Sequence, residues 1–411
     1  MIPVDGDRLH ADFLELSAIG AVAGGGISRT TFSDAHLKAR AWFHRRAAEA
    51  GLETGVDPAG NHSAVLRGSA GPGRTLLMGS HLDTVPLGGR YDGALGVLAA
   101  LEALRAAKDA GVTLPVNLEA IDFTDEEGSL LGLLGSFALT GALTVEMLAA
   151  PRGGRAHFRA ALARGGLSEE ALRQARRDPD SLAAYLELHI EQGSRLEAAG
   201  ADIGVVTAIA GSRSYRIAYT GARRHAGTTP MDARQDALLG AARFALSVRD
   251  TVLRFPECVG TVGALEVERG AFNVVPGRAE MLLELRAPST PQLDAVEEAV
   301  LDGASDLARS EALSLTVERV GRWEPVGLDS DIQNVITETA RELGLRSLPV
   351  SSGAGHDAQA LAALTPTGMI FVPSAAGVSH DPAEHTRWED CLNGANVLLG
   401  TALRVAMAAA C

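Results

Sequence analysis

An apolar run of strand length, Arg74-Thr75-Leu76-Leu77-Met78, gives way to the polar cluster Gly79-Ser80-His81-Leu82-Asp83-Thr84-Val85-Pro86. From Ala94 to Ala107 apolar residues return at helical spacing. The polar stretch, which runs on to Tyr91-Asp92-Gly93, thus lies between a strand's C-terminal end and a helix's start, where open α/β sheets bind ligands. A further strand is expected over 115–123, and this strand-helix-strand order implies a parallel pair with a right-handed crossover. Upstream, 8–18 and 34–50 read as helices, the second opening on Ser33-Asp34 as a cap. Residues 63–67 and 74–80 read as strands joined by a turn over 68–73.

Residues 151–181 are arginine-rich and read as a surface excursion with a short helix near 168–176. After about residue 205 the pattern changes. Strands are expected at 216–220, 260–267, 280–285 and 313–319, with helices at 232–252 and 291–309, a small α+β unit of one sheet with two helices on one face. It reads as an insertion, because 330–344 resumes a helix, 368–373 a buried strand and 389–409 a closing helix. The expected fold class is α/β: a catalytic, metal-binding domain (1–210 and 327–411) with a mostly parallel sheet flanked by helices, interrupted by a smaller α+β lid and dimerisation domain (211–326).

Composition narrows the function classes. Hydrophobic content of 46% with 21% charged residues is that of an ordinary folded, soluble chain. A net charge of −14 argues against nucleic acid or an anionic membrane as partner. The first residues carry neither a basic region nor an apolar core, and no apolar run reaches spanning length, so a cytoplasmic location is expected. Cys258, Cys391 and Cys411 are too few and scattered for a disulfide framework or a thiolate zinc site. Lys38 and Lys108 are the only lysines, and both fall within helical patterns, which leaves no lysine for a P-loop, a Schiff base or a carbamylated metal bridge.

The candidate chemistry gathers at predicted element ends. His81 offers an imidazole nitrogen, Asp92 a carboxylate able to bridge two cations, and Asp83 a group that could orient the imidazole. Thr124-Asp125-Glu126-Glu127-Gly128 arrives at the same edge; it reads either as a solvated turn or as two carboxylates with different tasks, Glu127 ligating and Glu126 free as a general base. His189, in Glu187-Leu188-His189-Ile190-Glu191-Gln192-Gly193, reads either as a satisfied core histidine or as a ligand. His380, in Ser379-His380-Asp381-Pro382-Ala383-Glu384, is aimed outward by the turn at Pro382. In the inserted unit His225, Asn273 and Arg286 could each be structural, yet together they supply an oxyanion donor, an amide and a guanidinium for a carboxylate. Gly355 and His356 open a helix whose free N–H groups suit an anionic or polar ligand. Two imidazoles with one carboxylate, and one imidazole with two, are what a pair of zinc-like ions sharing Asp92 would need.

These motifs, in this order and over about residues 8–405, resemble the dinuclear-metal amidohydrolases that include N-carbamoyl-L-amino-acid hydrolases, allantoate amidohydrolases and β-ureidopropionases. Glu-Leu-His-Ile-Glu-Gln-Gly and His-Ala-Gly-Thr-Thr-Pro-Met separate this subgroup from the wider aminoacylase and carboxypeptidase clan. The resemblance implies two divalent ions per subunit, zinc first, with manganese, cobalt and nickel also suited. One would be held by His81, Asp92 and His189, the other by Asp92, Glu127 and His380. Glu126 would deprotonate the attacking water with Asp83 behind His81, while His225, reaching across a homodimer, and Asn273 would stabilise the oxyanion. Arg286, Gln192 and the Gly355-His356 turn would hold the carboxylate of a small-molecule substrate. Two positions depart from the pattern: Ser129-Leu130-Leu131 is expected to make one pocket wall more apolar, and Asp381 stands where Asn is common.

The implied activity is hydrolysis of N-carbamoyl-L-amino acids to the amino acid, carbon dioxide and ammonia. An allantoate or ureidoglycine-type hydrolase would keep every ligand, and an aminoacylase or dipeptidase is a third reading. A non-catalytic protein closing on small carboxylates would need neither Glu126 nor metal.

Overall fold

The computed structural model describes residues 2–69 and 73–409, so part of the expected 68–73 turn and Cys411 lie outside the described residues. The chain divides into two compact units: Met1–Thr207, Leu328–Val350 and Gly355–Cys411 form the first, Ala208–Gly327 with Ser351–Ala354 the second.

In the first unit, strands Asn117–Phe123, Thr75–His81, Leu182–Ile190 and Thr367–Val372 lie side by side and parallel, which brings their C-terminal ends to one edge. Antiparallel strands flank them, His62–Leu66 and Glu53–Val56 on one side and Ile203–Ile209 on the other. Strand Thr367–Val372 is a near-continuous apolar run, as two-sided burial favours, whereas Asn117–Phe123 and Leu182–Ile190 carry Asn117, Glu119, Asp122, Glu187 and His189 among their buried residues. Strand alternation sends Leu76, Met78, Leu186 and Leu188 into the core shared with helices Ala94–Asp109 and Trp388–Ala408. Tyr185, Glu187 and His189 consequently point to the opposite face, where the amide of Ala358, in helix Asp357–Leu361, donates to Glu187 Oε2 at 2.9 Å.

Helix Ala94–Asp109 is buried almost throughout, Glu102 included. That charge is paired: Arg8 grips both Glu102 oxygens at 2.7 and 2.8 Å, and the Asp5 amide adds a third donor. Helix Trp388–Ala408 corrects one expectation, since its length and composition would allow it to cross a membrane. Its apolar side is instead filled by core contacts of Cys391, Ala395, Leu398 and Ala402.

The second unit is a four-stranded antiparallel sheet in the order Ser314–Trp323, Gly211–Thr220, Arg278–Ala287, Val259–Val267. Helices Ala237–Val252 and Thr290–Ser310 share a core with one face, through Tyr215, Ile217, Phe244, Leu283 and Val296. The opposite face carries charge, with Arg216 and Glu280 paired at 2.7 Å across neighbouring strands. A two-stranded ribbon pairs Arg224–His225 with Val274–Val275.

Candidate metal centre

The register of the parallel strands assembles the site. His81 ends its strand beside Phe123, so the Asp125–Glu127 turn leaves the sheet next to it. His189 lies beside Phe371 in the neighbouring pair, and the chain beyond that strand returns with His380. Asp92 precedes helix Ala94–Asp109 at Gly93, whose φ of 62° favours glycine and where a Cβ would collide with the His81 ring.

Carbonyl oxygens only accept, so two imidazole orientations follow. His81 Nδ1 donates to Asp83 O at 3.0 Å and His189 Nδ1 to Ile190 O at 2.9 Å, which leaves both Nε2 lone pairs facing inward. Asp92 Oδ1 lies 3.6 Å from His81 Nε2 and 3.1 Å from His189 Nε2. Its other oxygen, Oδ2, lies 3.2 Å from His380 Nε2, which is itself 3.4 Å from Glu127 Oε2. His81–Asp92–His189 and Asp92–Glu127–His380 each bring their donor atoms within 4.8 Å of one another.

These donors fit divalent cations. Two atoms that each lie about 2.1 Å from a tetrahedral ion are about 3.4 Å apart, the spacing found between these groups. Lone pairs aimed at a carboxylate also need a positive charge between them. In their protonated forms His189 and His380 donate to Asp92 instead, and although burial works against its charge these hydrogen bonds hold the Asp92 carboxyl well below the usual range. His189 is raised to about 9 despite burial, through its bond to Asp92, and His380 to about 9 by the same partner. Burial, with Asp92 beside it, pushes Glu127 up to about 8. Such a set of imidazoles and carboxylates holds protons when empty and can release them to a cation.

Glu126 lies next to this set without belonging to either triplet. Its Oε2 is 3.5 Å from His81 Nε2, and burial with Asp357, Glu127 and Asp92 nearby raises its carboxyl well above the usual range. A carboxylate so destabilised is a strong proton acceptor.

Several expected roles change in detail. Asp83 meets His81 through its carbonyl; its carboxylate lies 3.8 Å from Nδ1 and instead accepts the Glu126 and Glu127 amides at 3.3 Å each. Gln192, at a φ of 57°, donates through Nε2 to Asp92 Oδ2 at 2.8 Å, and so braces the aspartate. The His356 ring is buried edge-on against His189, with centroids 4.6 Å apart, leaving Gly355 as the exposed part of that turn. Leu130 does not form a pocket wall: it is buried with Phe32, Leu134 and Phe158, because the turn folds it inward. Asp381 accepts the Ala383 amide at 2.8 Å, closing the turn after His380.

In the second unit His225 and Asn273 are exposed and adjacent on the ribbon, the Ala226 amide donating to Asn273 O at 2.9 Å. The Gly227 amide donates to His225 Nδ1 at 3.1 Å, so a neutral ring carries its hydrogen on Nε2 and can donate outward. Arg286 is held by Glu284 Oε1 at 2.8 Å and Gly353 O at 2.8 Å, with donors to spare on a five-donor guanidinium.

One residue went without a role in the sequence reading although its motif was noted. The buried Glu384 accepts the Tyr91 and Asp92 amides at 2.9 and 3.2 Å and the Ser379 hydroxyl at 2.9 Å, tying the Asp92 loop to the His380 loop. Its two-residue spacing from Pro382 was the available signal.

The profile of peptidase family M20/M25/M40 matches residues 77–404. An N-carbamoyl-L-amino acid amidohydrolase of Geobacillus stearothermophilus is 38% identical over 405 residues, 98% of this chain and 99% of that protein. An allantoate amidohydrolase of Bacillus subtilis is 34% identical over 383 residues, covering 91% and 92%. The crystal structure of an amidase of the hydantoinase/carbamoylase family from Burkholderia multivorans superposes with a TM-score of 0.90 at 36% identity over 99% of each chain. The chain therefore belongs to the M20/M25/M40 peptidase family, among its amidohydrolases, and is a hydrolase of linear amide C–N bonds.

Proposed function

We propose that this chain hydrolyses the carbamoyl C–N bond of N-carbamoyl-L-amino acids with two divalent cations, of which zinc suits the ligands best. The observation that carries the reading is Asp92, whose two oxygens face separate histidine sets while Glu126 stays outside both. When bound, such cations polarise the ureido carbonyl and lower the pKa of water from 15.7 towards about 7. Glu126 takes the proton of the attacking water and delivers it to the leaving nitrogen. The oxygen–carbon bond forms, the bond to the amino-acid nitrogen breaks, and the released carbamate decomposes to carbon dioxide and ammonia. His225 Nε2–H and the Asn273 amide, contributed by a second copy of the chain in a homodimer, stabilise the developing oxyanion.

Arg286, assisted by the Gly355 backbone, takes the substrate carboxylate. Arg286→Leu is expected to raise KM about tenfold to a hundredfold with kcat little changed, the value of a lost hydrogen bond to a charged group. An unchanged KM would remove Arg286 from the substrate site.

Turnover of a panel of N-carbamoyl-L-amino acids against allantoate, N-acetyl amino acids and dipeptides tests the substrate. Allantoate is the second reading because a relative of 34% identity bears that activity in its name. Hydrolysis of the carbamoyl compounds is the expected result. Activity on allantoate alone would refute it.

A further inference from the structure

Residues 20–31 carry none of the side chains used so far and lie outside the stretch matched to the family. They nevertheless run along the site's loops. Ile27 and Gly88 exchange amide hydrogen bonds at 2.9 Å each, Thr84 N donates to Arg29 O at 3.1 Å, and Arg29 N donates to Thr84 Oγ1 at 2.9 Å. The buried Arg29 guanidinium holds Leu82 O at 3.0 Å and, through Nη1, Leu16 O and Ile19 O at 3.1 Å. Gly24, Gly25 and Gly26 have φ of 93, 98 and 81°, a turn that other residues adopt only with strain. It lies against the His380 loop, since a Cβ on Gly26 would come 3.0 Å from Pro382 Cγ.

This strap ends at the buried Thr31, whose Oγ1 lies 3.1 Å from Asp83 Oδ2 and 2.8 Å from Asp125 Oδ1. Asp83 accepts the Glu126 and Glu127 amides. Asp125 accepts the amides of Leu130, Leu131 and Gly132 at 3.0, 2.7 and 3.1 Å. The two carboxylates thus hold the two ends of the turn that presents Glu126 and Glu127. Buried carboxylates repel one another, and the group standing between these two is the Thr31 hydroxyl.

We propose that Thr31 is a positioning residue of the metal centre: its hydroxyl, which donates its one hydrogen to Asp125 Oδ1 at 2.8 Å and stands 3.1 Å from Asp83 Oδ2, separates the two carboxylates and so sets where Glu126 and Glu127 stand. The proposal rests on the reading of Glu126 as base and Glu127 as cation ligand.

The test compares Thr31→Val, Thr31→Ser and Thr31→Ala in the full, cation-loaded protein by kcat, KM, cation content under graded chelator, and thermal midpoint. Valine keeps the shape and removes the donor, so kcat is expected to fall about tenfold to a hundredfold with KM within about twofold. Cation is also lost at lower chelator concentration, and Thr31→Ser restores both properties. Wild-type kcat and cation retention in Thr31→Val overturn the proposal. So does a lower midpoint with full turnover per folded molecule, which would make the residue merely structural. Loss in Thr31→Ser equal to that in Thr31→Val also overturns it, by assigning the effect to the methyl group. If Thr31→Val does not fold, the Thr31→Ala and Thr31→Ser pair is read by the same criteria. Glu126→Gln serves as control: if it stays active, the functional reading fails and the Thr31 assignment with it, whereas an inactive Glu126→Gln beside a normal Thr31→Val sinks the Thr31 assignment alone.

Discussion

Replacing Glu126 with Gln is expected to lower kcat by about a thousandfold, within the range that general acid–base catalysis supplies, while cation content stays unchanged. The amide keeps the shape of the carboxylate but cannot take a proton from water. Among the described residues no triplet of candidate ligands includes Glu126, so its replacement leaves the donors of both sites in place. The neutral amide matches the neutral acid that burial and the neighbouring carboxylates already favour at Glu126, and the fold is therefore expected to hold its stability. Steady-state kinetics beside elemental analysis of the same sample checks both halves. Turnover within about tenfold of wild type would remove Glu126 as the base.

Stripping the cations should have the second large effect, abolishing turnover and making stability depend on pH in a manner that the loaded protein does not share. Burial and neighbouring carboxylates push Glu127 and Asp83 up to about 8. A carboxyl raised in the folded state stabilises the fold fully below its unfolded value, 4.5 for Glu127, and loses that contribution as pH climbs through about 8. His189 and His380, each raised to about 9, change stability with the same sign at higher pH. The cation-free protein is thus expected to weaken steadily from about pH 4.5 to 8. Cations bind the deprotonated ligands more tightly as pH rises and offset the loss. Thermal midpoints of chelated and reloaded protein across this window should diverge with rising pH. Parallel curves would mean that Glu127 does not face a cation.

The legible part of the molecule was the part where burial enforces a period. Helix Ala94–Asp109 and strands Thr75–His81, Asn117–Phe123 and Thr367–Val372 were readable because burial leaves apolar stretches that end where the chain turns to carry His81, Glu126 and Glu127 out of the sheet, whereas Leu182–Ile190 drew notice for its histidine motif and not as a strand. Strand Glu53–Val56 escaped notice because all four residues are exposed at the sheet edge, so no alternation marks it. Ser129-Leu130-Leu131 was read as a pocket wall by its place after the acidic motif, whereas the direction of a side chain in a tight turn is decided by partners such as Asp125 that hold the backbone. Thr31 gave no signal at all. In Arg-Thr-Thr-Phe-Ser it resembles any polar residue before a helix cap, and its partners stand 52 and 94 positions away.

The most direct test of the central claim is anomalous diffraction, at the zinc edge, from crystals of the zinc-loaded protein. Two peaks are expected on either side of Asp92, one about 2.0–2.2 Å from His81 and His189 nitrogens, the other as close to Glu127 and His380, with Glu126 bound to neither. A single peak away from Asp92, or one ligated by Glu126 in place of Glu127, would contradict the account.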